Sequence, residues 1–104
     1  MMDGFDIEAI DEVIHGRIRL GVMAYLVGAG EADFGEIRAR LQTTDGNLSV
    51  HLRKLEDAGY VEIVKSFVGR KPLTRIRLAE PGRVAYSRWL DTISQLVDRS
   101  REGG

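Results

Sequence analysis

The sequence predicts a mainly helical α+β fold: three helices, a two-stranded hairpin and a long final helix. Three observations predict it. Apolar residues recur at three- and four-residue spacing over most of the chain, the spacing becomes alternation between Tyr60 and Leu78, and glycine or proline marks each change. With 104 residues the chain is long enough for a single core and short for two, since domains typically hold roughly 100–200.

The first helix is read from Ile10, Val13, Ile14, Ile18, Val22, Tyr25 and Leu26, which share one helical face, and Gly28 and Gly30 end it. Asp33 followed by Glu36 forms a capping-box pattern for a short second helix with Phe34, Ile37 and Leu41 on its apolar side. Gln42 and Thr43 make a tight connection, and Thr44 is the N-cap of a third helix reaching about Ala58. Gly59 can take the left-handed conformation of a Schellman motif, with Tyr60 folding back on Leu55.

Tyr60 to Phe67 is rich in β-branched and aromatic residues, and Leu73 to Leu78 sets Thr74, Ile76 and Leu78 against Arg75 and Arg77. Val68 to Pro72 connects them as a turn. Pro81 suits only the first turn of a helix, and from there to about Ser100 apolar residues again fall at helical spacing. This order is that of a winged helix-turn-helix, at about residues 10–80, followed by a C-terminal helix at about 81–100, the whole of 1–104 forming one domain.

The composition, 43% apolar and 30% charged, is that of an ordinary globular chain and excludes disordered and fibrous classes. The absence of cysteine removes disulfides, thiolate metal sites and cysteine nucleophiles, and fits a reducing compartment. His15 and His51 are too few for a metal cage. The acids Asp3 and Asp6 stand where a signal peptide needs bases, and no run approaches the ~20 apolar residues of a membrane span. We therefore expect a cytoplasmic protein without membrane contact. No nucleophile–base pair, phosphate-cradling glycine loop or metal set is present, so neither an enzyme nor a cofactor is expected.

The net charge of −1 hides an uneven distribution. Residues 1–36 carry −6, residues 37–80 carry +4 and residues 81–104 carry +1. The bases gather around the third helix and the hairpin, a segregation that hints at a polyanionic partner.

On the third helix the apolar stripe is Leu48, Leu52 and Leu55, with His51 packed beside it. Opposite lie Gly46, Val50, Arg53 and Lys54, with Asn47 and Ser49 on the shoulders and Thr44 at the start. Small and polar residues followed by bases suit a DNA major groove, where close approach, amides, hydroxyls and cations all find partners. Arg70 and Lys71 at the hairpin turn add two cations for an adjacent minor groove or for phosphates.

The run from Asn47 to Val61, Asn-Leu-Ser-Val-His-Leu-Arg-Lys-Leu-Glu-Asp-Ala-Gly-Tyr-Val, and the turn from Lys65 to Pro72 resemble the small stand-alone winged-helix transcriptional regulators related to the MarR and ArsR families. The likeness extends from about Val13 to Leu90. It implies a homodimer binding double-stranded operator DNA with the third helix in the major groove and the wing alongside. It also implies a dimer surface built from the first and last helices, here Ile14 and Ile18 with Tyr86, Trp89, Ile93 and Leu96. The 3-4-3 spacing of those last four residues is that of a helix–helix seam. Thr43 departs from the family, which usually has an aliphatic residue there, and Ala79 stands where a threonine cap is usual. Metal-sensing relatives use Cys or His clusters that this chain lacks. Any small-molecule effector is expected at the dimer seam, because one domain leaves no room for a separate sensor. The alternative reading is a winged-helix protein-interaction module without DNA binding, docking a partner through the last helix.

Overall fold

The computed structural model describes residues 9–103. In chain order it contains α1 (Arg17–Ala29), β1 (Glu31–Asp33), α2 (Phe34–Leu41), α3 (Asp45–Asp57), β2 (Val61–Val68), β3 (Lys71–Leu78) and α4 (Glu80–Gly103). The architecture is the predicted mainly helical α+β winged helix with a long C-terminal helix. The acids Asp3, Asp6 and Glu8, and with them the reading of the N-terminus, lie outside the described residues.

Two local signals act as the sequence predicts. Thr44 has an extended backbone and its hydroxyl accepts the amide of Asn47 at 3.2 Å, relieving one orphan donor of α3. At the other end Gly59 adopts φ +81°, Tyr60 N–H donates to the Leu55 carbonyl and Gly59 N–H to the Glu56 carbonyl, both at 2.9 Å. These are the two bonds of a Schellman motif.

The first helix begins later than predicted. Ile10 to Gly16 form a turn, because the Asp11 carboxylate accepts the amides of Val13 and Ile14, at 2.9 and 3.3 Å, and Gly16 is extended at φ −155°. A side-chain acceptor so close to its own backbone competes with helix. Tyr60 and Arg19 hold this turn against the domain: the Tyr60 hydroxyl donates to Asp11 at 2.6 Å and Arg19 Nε to the Val13 carbonyl at 2.6 Å. Burial and the Asp11 carboxylate push the Tyr60 phenol up to about 12.

Ile14 and Ile18 are 0% and 5% exposed within the chain's own core. This corrects their assignment to a dimer surface: the N-terminal turn and α1 use both side chains to cover the domain itself. They join Val22, Met23 and Leu26 from α1, Ile37 from α2, Leu48, Leu52 and Leu55 from α3, and Ala32, Val61 and Ile76 from the sheet. Burial of each large member contributes about 1.5–3 kcal/mol relative to exposure.

The sheet has three antiparallel strands in the order β1-β3-β2. β1 was not predicted. Three residues cannot display an alternating pattern, and Glu31–Asp33 become a strand by pairing with Arg75–Arg77 on the open edge of β3. The predicted capping box does not form as such: Asp33 stands at the N-cap of α2 with an extended backbone but makes no side-chain cap, and the Glu36 carboxylate accepts the Tyr25 hydroxyl.

The hairpin turn is tighter than the five residues predicted. Val68 pairs with Lys71 and Phe67 with Pro72, leaving Gly69 and Arg70 as a two-residue loop with positive φ (+64°) at Gly69 alone, as in a type II′ turn. Lys71 closes the turn in a hydrogen-bonded pair, so Pro72 falls in a non-bonded one. Its missing N–H faces an edge that β1 does not reach, which is why a proline fits inside this strand.

Candidate nucleic-acid interface

The α2–α3 connection fixes the angle at which α3 is presented. Gln42 takes the left-handed conformation, φ +53°, and Arg38 of α2 donates to the Asp45 carboxylate at 2.6 Å. Leu48, Leu52 and Leu55 then turn one face of α3 into the core, and Gly46, Asn47, Ser49, Val50, Arg53 and Lys54 are all exposed on the other. The predicted face is therefore continuous, with Val50, 55% exposed, near its centre.

Thr43, the departure from the family pattern, has a consequence on this face. Its hydroxyl accepts the Asn47 side-chain amide at 2.8 Å. That bond holds the side chain of the exposed Asn47 to the turn through its amino group, and its carbonyl oxygen keeps its capacity to accept.

His51 sits half-buried at the edge of the apolar stripe, and its Nδ1 lies 2.9 Å from Arg19 Nη1. The guanidinium only donates, so His51 is the neutral Nε2–H tautomer accepting at Nδ1. Burial, then the charges of Arg19 and Lys54, hold its pKa below the ordinary 6.5. The unfolded chain thus binds a proton at His51 before the folded one does. Stability should fall as pH drops below about 6.5. A His51→Gln chain should show a shallower loss between about pH 7 and pH 5 in urea titrations, and an unchanged slope would refute the coupling.

A groove of about 480 Å³ separates α3 from the hairpin, lined by Asp45, Ser49, Arg53 and Glu56 on one side and by Ile63, Lys65 and Thr74 on the other, with Phe34 and Leu52 between. Not all cations of the basic segment are available. Arg75 donates to Glu31 at 2.7 Å across the β1–β3 pair, an interaction that lowers the Glu31 pKa and raises that of Arg75, and Arg77 lies 3.6 Å from Glu62. Arg40 stacks over the Tyr25 ring, 5.4 Å from its centroid, and Tyr25 donates its hydroxyl to Glu36. Among the described residues, Arg53, Lys54, Lys65, Arg70 and Lys71 have no carboxylate within ion-pair distance. Lys65 was missed by sequence reasoning. Its pairing opposite Thr74 aims it into the groove, and only the register reveals that.

The predicted seam residues of α4 divide into two groups. Tyr86 and Trp89 pack against the core: their rings stack at 6.0 Å and Trp89 Nε1 donates to His15 Nδ1 at 3.1 Å. Farther along, Ile93 is half-buried and Leu96 38% exposed, and Leu90 and Val97, which were not predicted for the seam, are 43% and 44% exposed. No helix of the described residues is long and apolar enough to cross a membrane, and no group of three potential ligands could hold a metal ion among them.

Residues 18–97 match the family model described as a winged helix DNA-binding domain. The chain is 35% identical over 85 residues to an uncharacterized protein of Methanocaldococcus jannaschii, covering 82% of this chain and 92% of that one. It superposes on a transcriptional regulator homologue from Pyrococcus horikoshii with a TM-score of 0.81 at 30% identity, covering 88% of this chain and 91% of the other. A MarR-like transcriptional regulator from Thermotoga maritima gives 0.58 at 26% identity, covering 80% of this chain and 58% of that longer one. The family match runs through α3 and the hairpin, which build the basic face, and through most of α4. The chain belongs to the winged helix DNA-binding domain family, as a small winged-helix protein whose structural neighbours include MarR-like regulators.

Proposed function

We propose that this protein is a sequence-specific transcriptional regulator that binds double-stranded DNA as a homodimer. The observation that carries the reading is the exposed face of α3, where an unobstructed small-polar surface meets Arg53 and Lys54 one turn later, beside the groove and the cation-tipped hairpin. In a major groove Gly46 permits close approach, Val50 suits a thymine methyl, the Asn47 carbonyl accepts from an adenine or cytosine amino group, and Ser49 and Thr44 bond to bases or phosphates. Arg53 reaches guanine or the backbone, Lys54 the backbone. Arg70 and Lys71 take the adjacent minor groove or its phosphates.

The dimer reading rests on α4. Its 24 residues span about 36 Å, yet among the described residues its apolar side chains packed on the domain core, Ala85, Tyr86 and Trp89, all lie in its first half. The continuing stripe of Leu90, Ile93, Leu96 and Val97 is self-complementary about a two-fold axis, with the outer edges of Tyr86 and Trp89 extending it. Two such domains present their α3 helices to successive major grooves, with half-sites ~34–36 Å apart.

Selection of bound fragments from random duplex DNA, followed by titration at several salt concentrations, tests the reading. Enrichment of a two-fold site and a steep salt dependence are expected. Absence of both would refute it. By light scattering the intact chain should be a dimer, and Leu96→Glu with Val97→Glu a monomer; a wild-type monomer would overturn the dimer.

A further inference from the structure

The tip of the hairpin carries a feature that phosphate contacts do not explain. Phe67 and Val68, 72% and 65% exposed, are the most exposed large apolar side chains among the described residues, and they stand beside the unpaired cations Arg70 and Lys71. A loop that only tracks phosphates has no use for an exposed ring.

The strand register tells which way the ring faces. Ile63 opposite Ile76, Lys65 opposite Thr74 and Phe67 opposite Pro72 occupy one face of the ribbon, since directly paired residues share a face and successive pairs alternate. Ile76 is buried in the core and Lys65 and Thr74 line the groove against α3. Phe67 and Pro72 therefore continue the α3-facing side of the wing, about 7 Å beyond Lys65. The two-residue loop at Gly69 and Arg70 makes this tip short and closed by strand pairing up to Val68 and Lys71, so the ring is mounted on a ribbon and not on a loose loop.

We propose that Phe67, backed by Pro72, is an apolar wedge that enters the minor groove next to the α3 site, partly unstacks a base step and bends the bound duplex. This rests on the DNA-binding reading above and goes beyond it by assigning a deforming contact to the wing. Phenylalanine and proline are residue types that wedge between base steps from the minor groove. Lys65 lies on the ring's own face of the ribbon, Arg70 in the loop beyond it and Lys71 on the opposite face, so the whole tip carries positive charge, which favours a polyanion and repels a second copy of the same tip. DNA combines that polyanionic exterior with an apolar stack reachable between its strands. Bending adds sequence preference at positions the protein does not touch, because flexible pyrimidine–purine steps kink more easily than others.

The test uses the full chain and a duplex selected by it from a random pool, labelled at its two ends with a fluorescent donor and acceptor. Wild-type protein should change the energy transfer between the ends. Phe67→Ala should bind at least about tenfold more weakly, with the salt slope unchanged and the transfer change lost, whereas Phe67→Trp should retain both. Because Phe67 is exposed, its alanine variant should keep the wild-type melting temperature. The wedge is overturned if Phe67→Ala binds and bends like wild type, if wild-type binding leaves the transfer unchanged, or if the substitution alters the size of the free protein instead. Should Arg53→Ala weaken binding while Phe67→Ala does not, the wedge alone fails. If the pool yields no duplex at all, the DNA reading fails and takes the wedge with it.

Discussion

A Gly82→Ala chain should be destabilised by about 2–3 kcal/mol, with its urea midpoint lowered at constant slope. Gly82 is buried in the first turn of α4, where a Cβ would overlap the Tyr60 carbonyl oxygen and come within 2.9 Å of the Tyr60 carbonyl carbon and Cα. All three are backbone atoms, so no side chain can swing aside. Nor is Tyr60 free to retreat. Its carbonyl accepts the Ala79 amide at 3.0 Å, its amide closes the Schellman motif on Leu55, and its hydroxyl ties down Asp11. Alanine gains about 1 kcal/mol over glycine in helix propensity, and the stated loss is what remains after that gain. For a domain of this size it lowers the melting temperature by roughly 10 °C or more. A wild-type midpoint would show that α4 can shift away from Tyr60 without cost.

Replacing Arg53 and Lys54 together with alanine should reduce affinity for a selected duplex by about 100-fold at physiological salt. Both side chains are exposed and lack carboxylate partners, so truncation removes charge without disturbing an internal ion pair. Loss of two cationic contacts also predicts a salt slope smaller by about 2. If Arg53 reads a guanine, the single Arg53→Ala change relaxes preference at one position of the site, and Lys54→Ala weakens all duplexes alike. Unchanged affinity and slope in the double variant would remove α3 as the DNA-contacting element.

Much of the candidate interface was legible because its signals are local. Thr44 as N-cap, the Leu48, Leu52 and Leu55 stripe and the Gly59–Tyr60 stop lie within a few residues of the groups they satisfy, and the exposed face of α3 is what the stripe leaves over. His51 was likewise readable as a packed histidine from its place beside the stripe. Its partner Arg19, thirty-two positions earlier, was not. Lys65 and Phe67 read as ordinary members of a strand, and the roles proposed for them depend on which face of the ribbon the register assigns them.

The sequence by itself determined the helices, their caps, the hairpin and the net basic character of the α3–wing segment, because periodicity and capping act over one or two turns. Tertiary structure decided the rest. It made a strand of Glu31–Asp33, since a three-residue pairing exists only where β3 offers an open edge. It turned Ile10–Gly16 from helix into a pinned turn through Asp11 and Tyr60, and so withdrew Ile14 from any partner. It neutralised Arg75 and Arg77 with carboxylates distant in sequence, leaving Arg53, Lys54, Lys65, Arg70 and Lys71 as the charge a partner meets. Each of these outcomes depends on contacts between segments far apart along the chain, and no local pattern encodes such contacts.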